Sequence, residues 1–356
     1  KPKTENCTMK NKLIITFLLF CSIGFSQNID KISIGIRDTI HSNILNEKRK
    51  LWIYTPKGLE RDSKDIYPVI YLLDGDYNFH ATTGIVEFLS KNQVCPEMIV
   101  VGILNTNRNR DFLPTHDPSM KNSGGAEQFT DFLSKELIPY IDSVYPTAPY
   151  KMLIGHSLGG VLTINTLIHS PEIFNSYIAI DPSLWWDNKV MENQLRDSID
   201  SVDFSNEVLY MTSANLIRGV DSVNILCDTT NITNGVRANF EFYRFLDSTK
   251  LITGIDSKFQ YYVNETHPTL PMISIYDGFQ YIFDFYKRPS FARVGDTTFH
   301  AKEILLEHYK KVSDNLGYKV LPPDKLINGI AFLYRINNME DKANEILELK
   351  QMKDNE

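Results

Sequence analysis

Chemistry in this chain centres on Gly155-His156-Ser157-Leu158-Gly159-Gly160. An apolar run from Tyr150 to Ile154 leads into it and Val161 to Ile168 follows, which reads as strand, sharp turn, helix. A serine at the tip of such a turn has a strained backbone that pushes its hydroxyl clear of the sheet, while the next amide, that of Leu158, points at whatever the hydroxyl attacks. Gly155 and Gly159 let the strand and the helix pass closely, since a side chain at either would meet the facing element. The pattern predicts a nucleophile elbow with Ser157 as nucleophile; the plain alternative is a chance Gly-rich connection.

A serine hydroxyl attacks poorly at neutral pH without a base to take its proton and an acid to orient that base. The chain holds eight histidines. His41 falls in an edge hairpin, His169 at the far end of the elbow helix, and His300 and His308 in the tail; His156 adjoins the serine with its ring expected to point elsewhere. His267, in Asn264-Glu265-Thr266-His267-Pro268, follows the last strand, where a base must return in a Ser, acid, His chain order. His80 and His116 are expected at most to line the cleft. For the acid, Asp221 lies in the loop after the strand ending at Thr212 and is the first choice; Asp181 at the end of the preceding strand is the rival, with Asp187 and Glu265 behind it. A Ser-His dyad oriented by a backbone carbonyl stays open. The loop charges Arg108-Asn109-Arg110-Asp111 either pair among themselves or offer a cation to an acidic substrate. Trp185 and Trp186 read as aromatic cleft walls or, equally, as core packing.

The elements that must position these groups follow from hydrophobic patterning. Ile32 to Ile36 and Lys50 to Tyr54 suit an antiparallel edge hairpin joined through Asn43 to Arg49. Tyr67 to Leu73, Met98 to Ile103, Tyr150 to Ile154, Ser176 to Ile180, Val208 to Thr212 and Phe259 to Val263 read as strands, most of them unbroken apolar runs covered on both faces. Helical segments are expected at Phe79 to Ser90, Ala126 to Asp142 and Asn188 to Ile199. Alternating strands and helices specify an α/β fold, a mostly parallel sheet with helices on both faces, whose ligands bind at the carboxyl ends of the strands. After Pro289 the pattern changes to three helices, 301–316, 324–335 and 339–350. The last pair, with Gly329, Ala331, Tyr334, Ala343, Ile346 and Leu349, resembles one tetratricopeptide unit, which cannot bury its own face and so is expected to cap the sheet or to dock a protein partner.

Met9-Lys10-Asn11-Lys12 and the apolar run Leu13 to Phe25 read as a signal peptide cleaved after Ser26, too short to span a membrane as a helix. The expected organisation is therefore a leader over 1–26, a hydrolase domain over 27–289 and a helical appendage over 290–356, exported to the periplasm or secreted. A lipoprotein reading through Cys21 lacks the small residues expected before a lipidated cysteine. A net charge of −7 argues against nucleic acid or an anionic membrane as partner. Cys95 and Cys227 remain after the leader, free to pair or to stay thiols. With no H-E-x-x-H, P-loop or dinucleotide glycine motif and no paired cysteine spacing, neither a metal nor another cofactor is implied.

Taken together, Tyr71-Leu72-Leu73-Asp74-Gly75-Asp76, the elbow, Asp181-Pro182-Ser183-Leu184-Trp185-Trp186-Asp187 and Glu265-Thr266-His267-Pro268 resemble the esterase D-like α/β-hydrolases, which include siderophore trilactone esterases and feruloyl or acetyl esterases. The resemblance covers about residues 32 to 287. It implies an α/β-hydrolase fold, Ser157 as nucleophile, His267 as base, and an oxyanion hole from the amides of Leu158 and of Asp76 or Gly75. Two departures stand out. Many members have a small residue where this chain has Pro268, and a serine where it has Asp181, which keeps an acid role for Asp181 open. The implied activity is hydrolysis of a small-molecule carboxylic ester through an acyl-serine. An acyltransferase working from the same acyl-enzyme, or a non-catalytic protein that binds a partner through its helical tail, are the alternatives.

Overall fold

The computed structural model describes residues 32–56, 65–215, 225 and 227–354. Its strands are β1 (Ile36–Ser42), β2 (Glu47–Tyr54), β3 (Tyr67–Leu72), β4 (Ile99–Ile103), β5 (Thr147–His156), β6 (Ser176–Ile180), β7 (Val208–Ala214) and β8 (Asp256–Tyr262). They form one sheet in the order β1-β2-β4-β3-β5-β6-β7-β8. β1 and β2 pair antiparallel, as do β2 and β4, and every later pairing is parallel. This is the α/β-hydrolase fold that the sequence implied.

The alternation of side chains along the inner strands divides the core between the two faces. Val69, Tyr71 and Leu73 enter one apolar layer, while Ile70 and Leu72 enter the other. An unbroken apolar run is what such a strand requires, because both of its faces are covered. The helices are α1 (Gly75–Lys91), α2 (Arg108–Phe112), α3 (Ala126–Phe132), α4 (Ile138–Val144), α5 (Leu158–His169), α6 (Trp186–Ser198), α7 (Asn234–Ser248), α8 (Lys250–Thr253) and α9 (Leu270–Ile282). α3 to α7 contribute to the first layer, and α1 and α9 to the second.

The edge hairpin differs from expectation. The strand is the polar stretch Ile36–Ser42 rather than Ile32 to Ile36, and Ile32 is 99% exposed. The turn is shorter than expected, because Glu47 to Arg49 already belong to β2. Arg49 is fully buried between Glu47 and Asp111, so a charged residue read as loop is an interior ion pair.

After the sheet, α10 (Ala301–Leu316), α11 (Asp324–Ile336) and α12 (Glu340–Asp354) build a third apolar cluster around Leu305, Ile327, Ile330, Tyr334 and Ile346. Helix α10 is shared. Its Val312 and Leu316 enter the second layer of the sheet core, and its Ala301, Leu305 and Tyr309 enter the helical cluster. The described residues from Ile34 onward form one compact unit. Cys95 is a buried free thiol and Cys227 an exposed one, so the two are not bonded. Among the described residues no helix is long and apolar enough to cross a membrane.

Candidate active site

The turn between β5 and α5 places Ser157 at φ 61°, ψ −115°, a left-handed backbone that an L-residue adopts only under constraint. The constraint is visible on both sides. The Ser157 N–H donates to Ile180 O at 2.9 Å, its carbonyl accepts from Ser183 N at 3.2 Å, and a Cβ on Gly155 would lie 2.2 Å from Gly159 O. Only a glycine fits at 155, so the strand and helix cross as closely as the sequence required. Leu158 begins α5, so its N–H has no carbonyl four residues back within the helix and is available to a developing oxyanion. Asp76, at the start of α1, has an amide of the same kind.

His267 follows β8, and its Nδ1–H donates to Asp181 Oδ2 at 2.7 Å. Asp181 is 5% exposed, and its other oxygen accepts from Ser213 Oγ at 2.9 Å, Ala214 N at 3.2 Å and Asn239 Nδ2 at 3.2 Å. A carboxylate oxygen accepts, so the His267 nitrogen that faces it carries the proton, which sets the Nδ1–H tautomer and leaves Nε2 as an acceptor. Asp221, the first-choice acid from sequence, lies outside the described residues; the hydrogen-bond position expected for it at His267 is occupied by Asp181. The other candidates are elsewhere: Glu265 accepts from Thr269 Oγ1 at 2.7 Å, and Asp187 opens a run with Asn188 and Lys189 at positive φ.

His156 departs from expectation. Its ring lies against that of His267, tilted by 38° with centroids 4.4 Å apart, and its buried Nε2 has no hydrogen-bond partner among the described residues. Burial, and after it the neighbouring imidazole of His267, lower its pKa from the usual value to about 4. A neutral imidazole therefore sits beside His267 at pH 7.

Asp74 ties the start of α1 to the elbow. It precedes α1 at φ 51°, and its carboxylate accepts from Asn105 Nδ2 at 2.7 Å and from Arg108 Nε and Nη2 at 2.7 and 3.0 Å. Arg108 Nη2 also donates to His156 O at 2.9 Å, so one guanidinium joins the start of α1 to the elbow. Gly159 leaves room for this, since a Cβ there would stand 3.1 Å from Asp74 Oδ2. Of the loop charges, Arg110 and Asp111 pair with each other and with Glu47 and Arg49, while Arg108 faces the cleft. Tyr77 OH donates to Pro268 O at 3.2 Å, which ties down the backbone next to His267.

These groups line a cavity of about 320 Å³ that holds Ser157, His267, Asp76 and Arg108. Gly75 packs against Gly102, 2.6 Å from where its Cβ would be. Trp186 is buried, its Nε1–H donating to Thr115 Oγ1 at 3.1 Å, and Trp185 is 41% exposed and edge-on to it; neither ring lines this cavity. His80 packs against Trp52 and Phe79, and His116 Nδ1 lies 3.3 Å from Ser123 O. Sequence reasoning missed Asp74, Asn105, Ser183 and Asn239. The charged residue at the end of a buried strand was a usable signal for Asp74; Asn239 lies on the buried face of α7 among Val236, Phe242 and Leu246, where a single polar residue marks no contact partner in the sequence.

The family described as "Putative esterase" matches residues 42–269. The ferri-bacillibactin esterase BesA of Bacillus subtilis is 33% identical over 163 residues, 40% of this chain and 56% of that protein. A siderophore triacetylfusarinine C esterase of Aspergillus fumigatus is 28% identical over 152 residues, 39% and 52% of the two chains. The chain thus spans about half the length of these curated relatives. The crystal structure of an IroE-like serine hydrolase from Shewanella oneidensis superposes with a TM-score of 0.73 at 29% identity, covering 89% of this chain and 99% of that one. With the elbow, the strand order and a family match over most of the sheet, the chain belongs to this esterase family.

Proposed function

We propose that this protein is an exported serine esterase that cleaves a carboxylic ester through an acyl-Ser157 intermediate, with His267 as base and Asp181 as the acid that orients it. The observation that carries the reading is the 2.7 Å hydrogen bond from His267 Nδ1 to the buried Asp181 carboxylate, in the same cleft as a strained Ser157.

In this mechanism His267 Nε2 takes the Ser157 proton as Oγ attacks the ester carbonyl carbon. The carbonyl oxygen becomes an oxyanion between the Leu158 and Asp76 amides, whose fixed dipoles stabilise it without reorganisation. Collapse breaks the carbonyl–alkoxy bond, and the imidazolium gives its proton to the leaving alcohol. Water then attacks the acyl carbon as His267 takes its proton, and the second tetrahedral species collapses by breaking the bond to Ser157 Oγ, which receives that proton back from His267 as the free acid leaves. Asp181 stabilises the imidazolium in both halves. Asp74 and Arg108 keep the two amides in register.

The substrate proposed first is an ester of the siderophore kind, since the named relatives are siderophore esterases. The basic start at Met9 and the apolar run ending at Ser26 support export. A panel of p-nitrophenyl acetate, a feruloyl ester and a siderophore trilactone, run with Ser157→Ala as control, tests the activity and its range. Turnover of none, or equal turnover by the control, would sink the reading.

A further inference from the structure

Ser183 is buried, 8% exposed, and stands beside the proposed nucleophile with its Oγ 3.3 Å from Ser157 Oγ. Among the described residues this is the one hydrogen bond that either hydroxyl makes. The steps assigned to Ser157, His267 and Asp181 make no use of it. A buried hydroxyl costs free energy unless it is paired, and alanine would fill the same space. The single partner of Ser183 Oγ is the oxygen that attacks the ester.

The backbone on both sides of Ser183 is pinned. The chain leaves β6 at Asp181 with φ 39°, and Pro182 packs so closely on α5 that a Cβ on Gly160 would lie 2.8 Å from Pro182 Cβ. Ser183 N donates to Ser157 O at 3.2 Å, and Ser183 O accepts from Trp186 N at 3.0 Å. Asp181, two residues earlier, holds His267 Nδ1. One short segment therefore reaches both the proposed base and the proposed nucleophile.

At rest either hydroxyl can donate to the other. Once the Ser157 proton goes to His267 Nε2, the Ser157 oxygen has only lone pairs to offer, and the contact persists with Ser183 as donor. Negative charge grows on that oxygen as it attacks, and again as it leaves the acyl group. An O–H···O contact of 3.3 Å is long, and such contacts shorten when the acceptor becomes charged. The bond is thus stronger in the transition state than in the resting site, which is the condition for lowering the barrier.

We propose that Ser183 is a further catalytic residue, a hydrogen-bond donor to Ser157 Oγ that stabilises the charge on that oxygen in both halves of the reaction. The proposal rests on the acyl-Ser157 reading. Ser183 keeps its own proton throughout, and His267 alone takes and returns the one that Ser157 loses.

Kinetics of p-nitrophenyl acetate hydrolysis by the full chain test this, with Ser183→Ala and Ser183→Thr each shown to be folded by thermal melting. Stopped-flow release of p-nitrophenolate reads acylation, and steady-state turnover reads the whole cycle. Ser183→Ala is expected to slow both by at least about tenfold, the effect of losing a hydrogen bond to a charged group. Ser183→Thr keeps the hydroxyl and is expected to run faster than Ser183→Ala. In a Ser157→Ala background, adding Ser183→Ala is expected to leave the dissociation constant of the ester unchanged, because the donor acts on the charged oxygen and not on bound substrate. A smaller loss in folded Ser183→Ala, a folded Ser183→Thr no faster than it, or weaker ester binding in the double variant would each overturn the proposal. If Ser183→Thr fails to fold, the alanine variant and the binding comparison decide. Ester turnover by Ser157→Ala would instead sink the acyl-serine reading, whereas a wild type acylated on Ser157 beside an undiminished Ser183→Ala enzyme would sink this inference alone.

Discussion

Replacing Asp181 by asparagine changes one atom and asks whether the buried carboxylate directs the base. Asp181 Oδ1 accepts from Ser213, Ala214 and Asn239, so three donors already compete for that position. In Asp181→Asn the amide oxygen must stay there, because turning the NH2 toward three donors would leave them unsatisfied. The NH2 then faces His267 Nδ1, which becomes an acceptor, and the ring proton moves to Nε2. That tautomer cannot take the Ser157 proton. The loss expected for a wrong tautomer in an otherwise intact triad is about four orders of magnitude in kcat, near 5 kcal/mol at about 1.36 kcal/mol per decade. Melting should change little, since the shape is kept. The assay is initial rates of p-nitrophenyl acetate hydrolysis at pH 7 beside Asp221→Asn, which should retain most activity. A folded Asp181→Asn enzyme within tenfold of wild type, or a larger loss in Asp221→Asn, would refute the assignment.

Further outcomes follow from other parts of the site and core. His156 has its pKa lowered to about 4, so the unfolded chain binds the extra proton first as pH falls, and stability declines from about pH 6.5 toward about 4. The contribution at stake is about 3 kcal/mol; denaturant titrations at pH 7 and pH 4.5 should show a smaller pH-dependent loss in His156→Gln than in wild type. Arg49→Met leaves Asp111 buried with only Arg110 as partner and should cost about 3–5 kcal/mol. Adding Asp111→Leu should recover much of that in urea unfolding, and no recovery would argue against the ion pair. Gly155→Ala drives a methyl into the Gly159 carbonyl and the Thr163 hydroxyl, and should lower stability by at least about 1–3 kcal/mol; an unchanged melting midpoint would argue against the close crossing. For export, mass spectrometry of the protein from its own host should find an N-terminus at or near Gln27, and an uncleaved product would exclude processing there.

The inner sheet was legible because β3, β4 and β6 are doubly covered strands, and double burial leaves an unbroken apolar run in the sequence. The elbow was legible for a different reason, since its glycines are required by backbone contacts within a few residues. The edge was not. β1 is fixed by its ladder with β2 rather than by its side chains, so the apolar alternation of Ile32 to Ile36 pointed to the wrong residues. Arg49 looked like a loop residue because nothing local reveals that Asp111, 62 positions away, will neutralise it. The same difficulty governs the proposed acid. Asp181 and His267 are 86 positions apart, and their contact depends on β6 and β8 ending at the same edge of the sheet. Local order favoured the loop after β7. His156 was expected to point away because it adjoins the nucleophile, yet the turn carries its ring onto His267.

The central claim is that Ser157 becomes acylated, and trapping the intermediate tests it most directly. Intact-protein and peptide mass spectrometry after brief reaction with a slowly released aryl ester should show one acyl group per chain, on the peptide carrying Ser157. The adduct should be absent in Ser157→Ala and should build up in His267→Ala only very slowly. An adduct on another residue, or wild-type ester turnover by Ser157→Ala, would contradict the account.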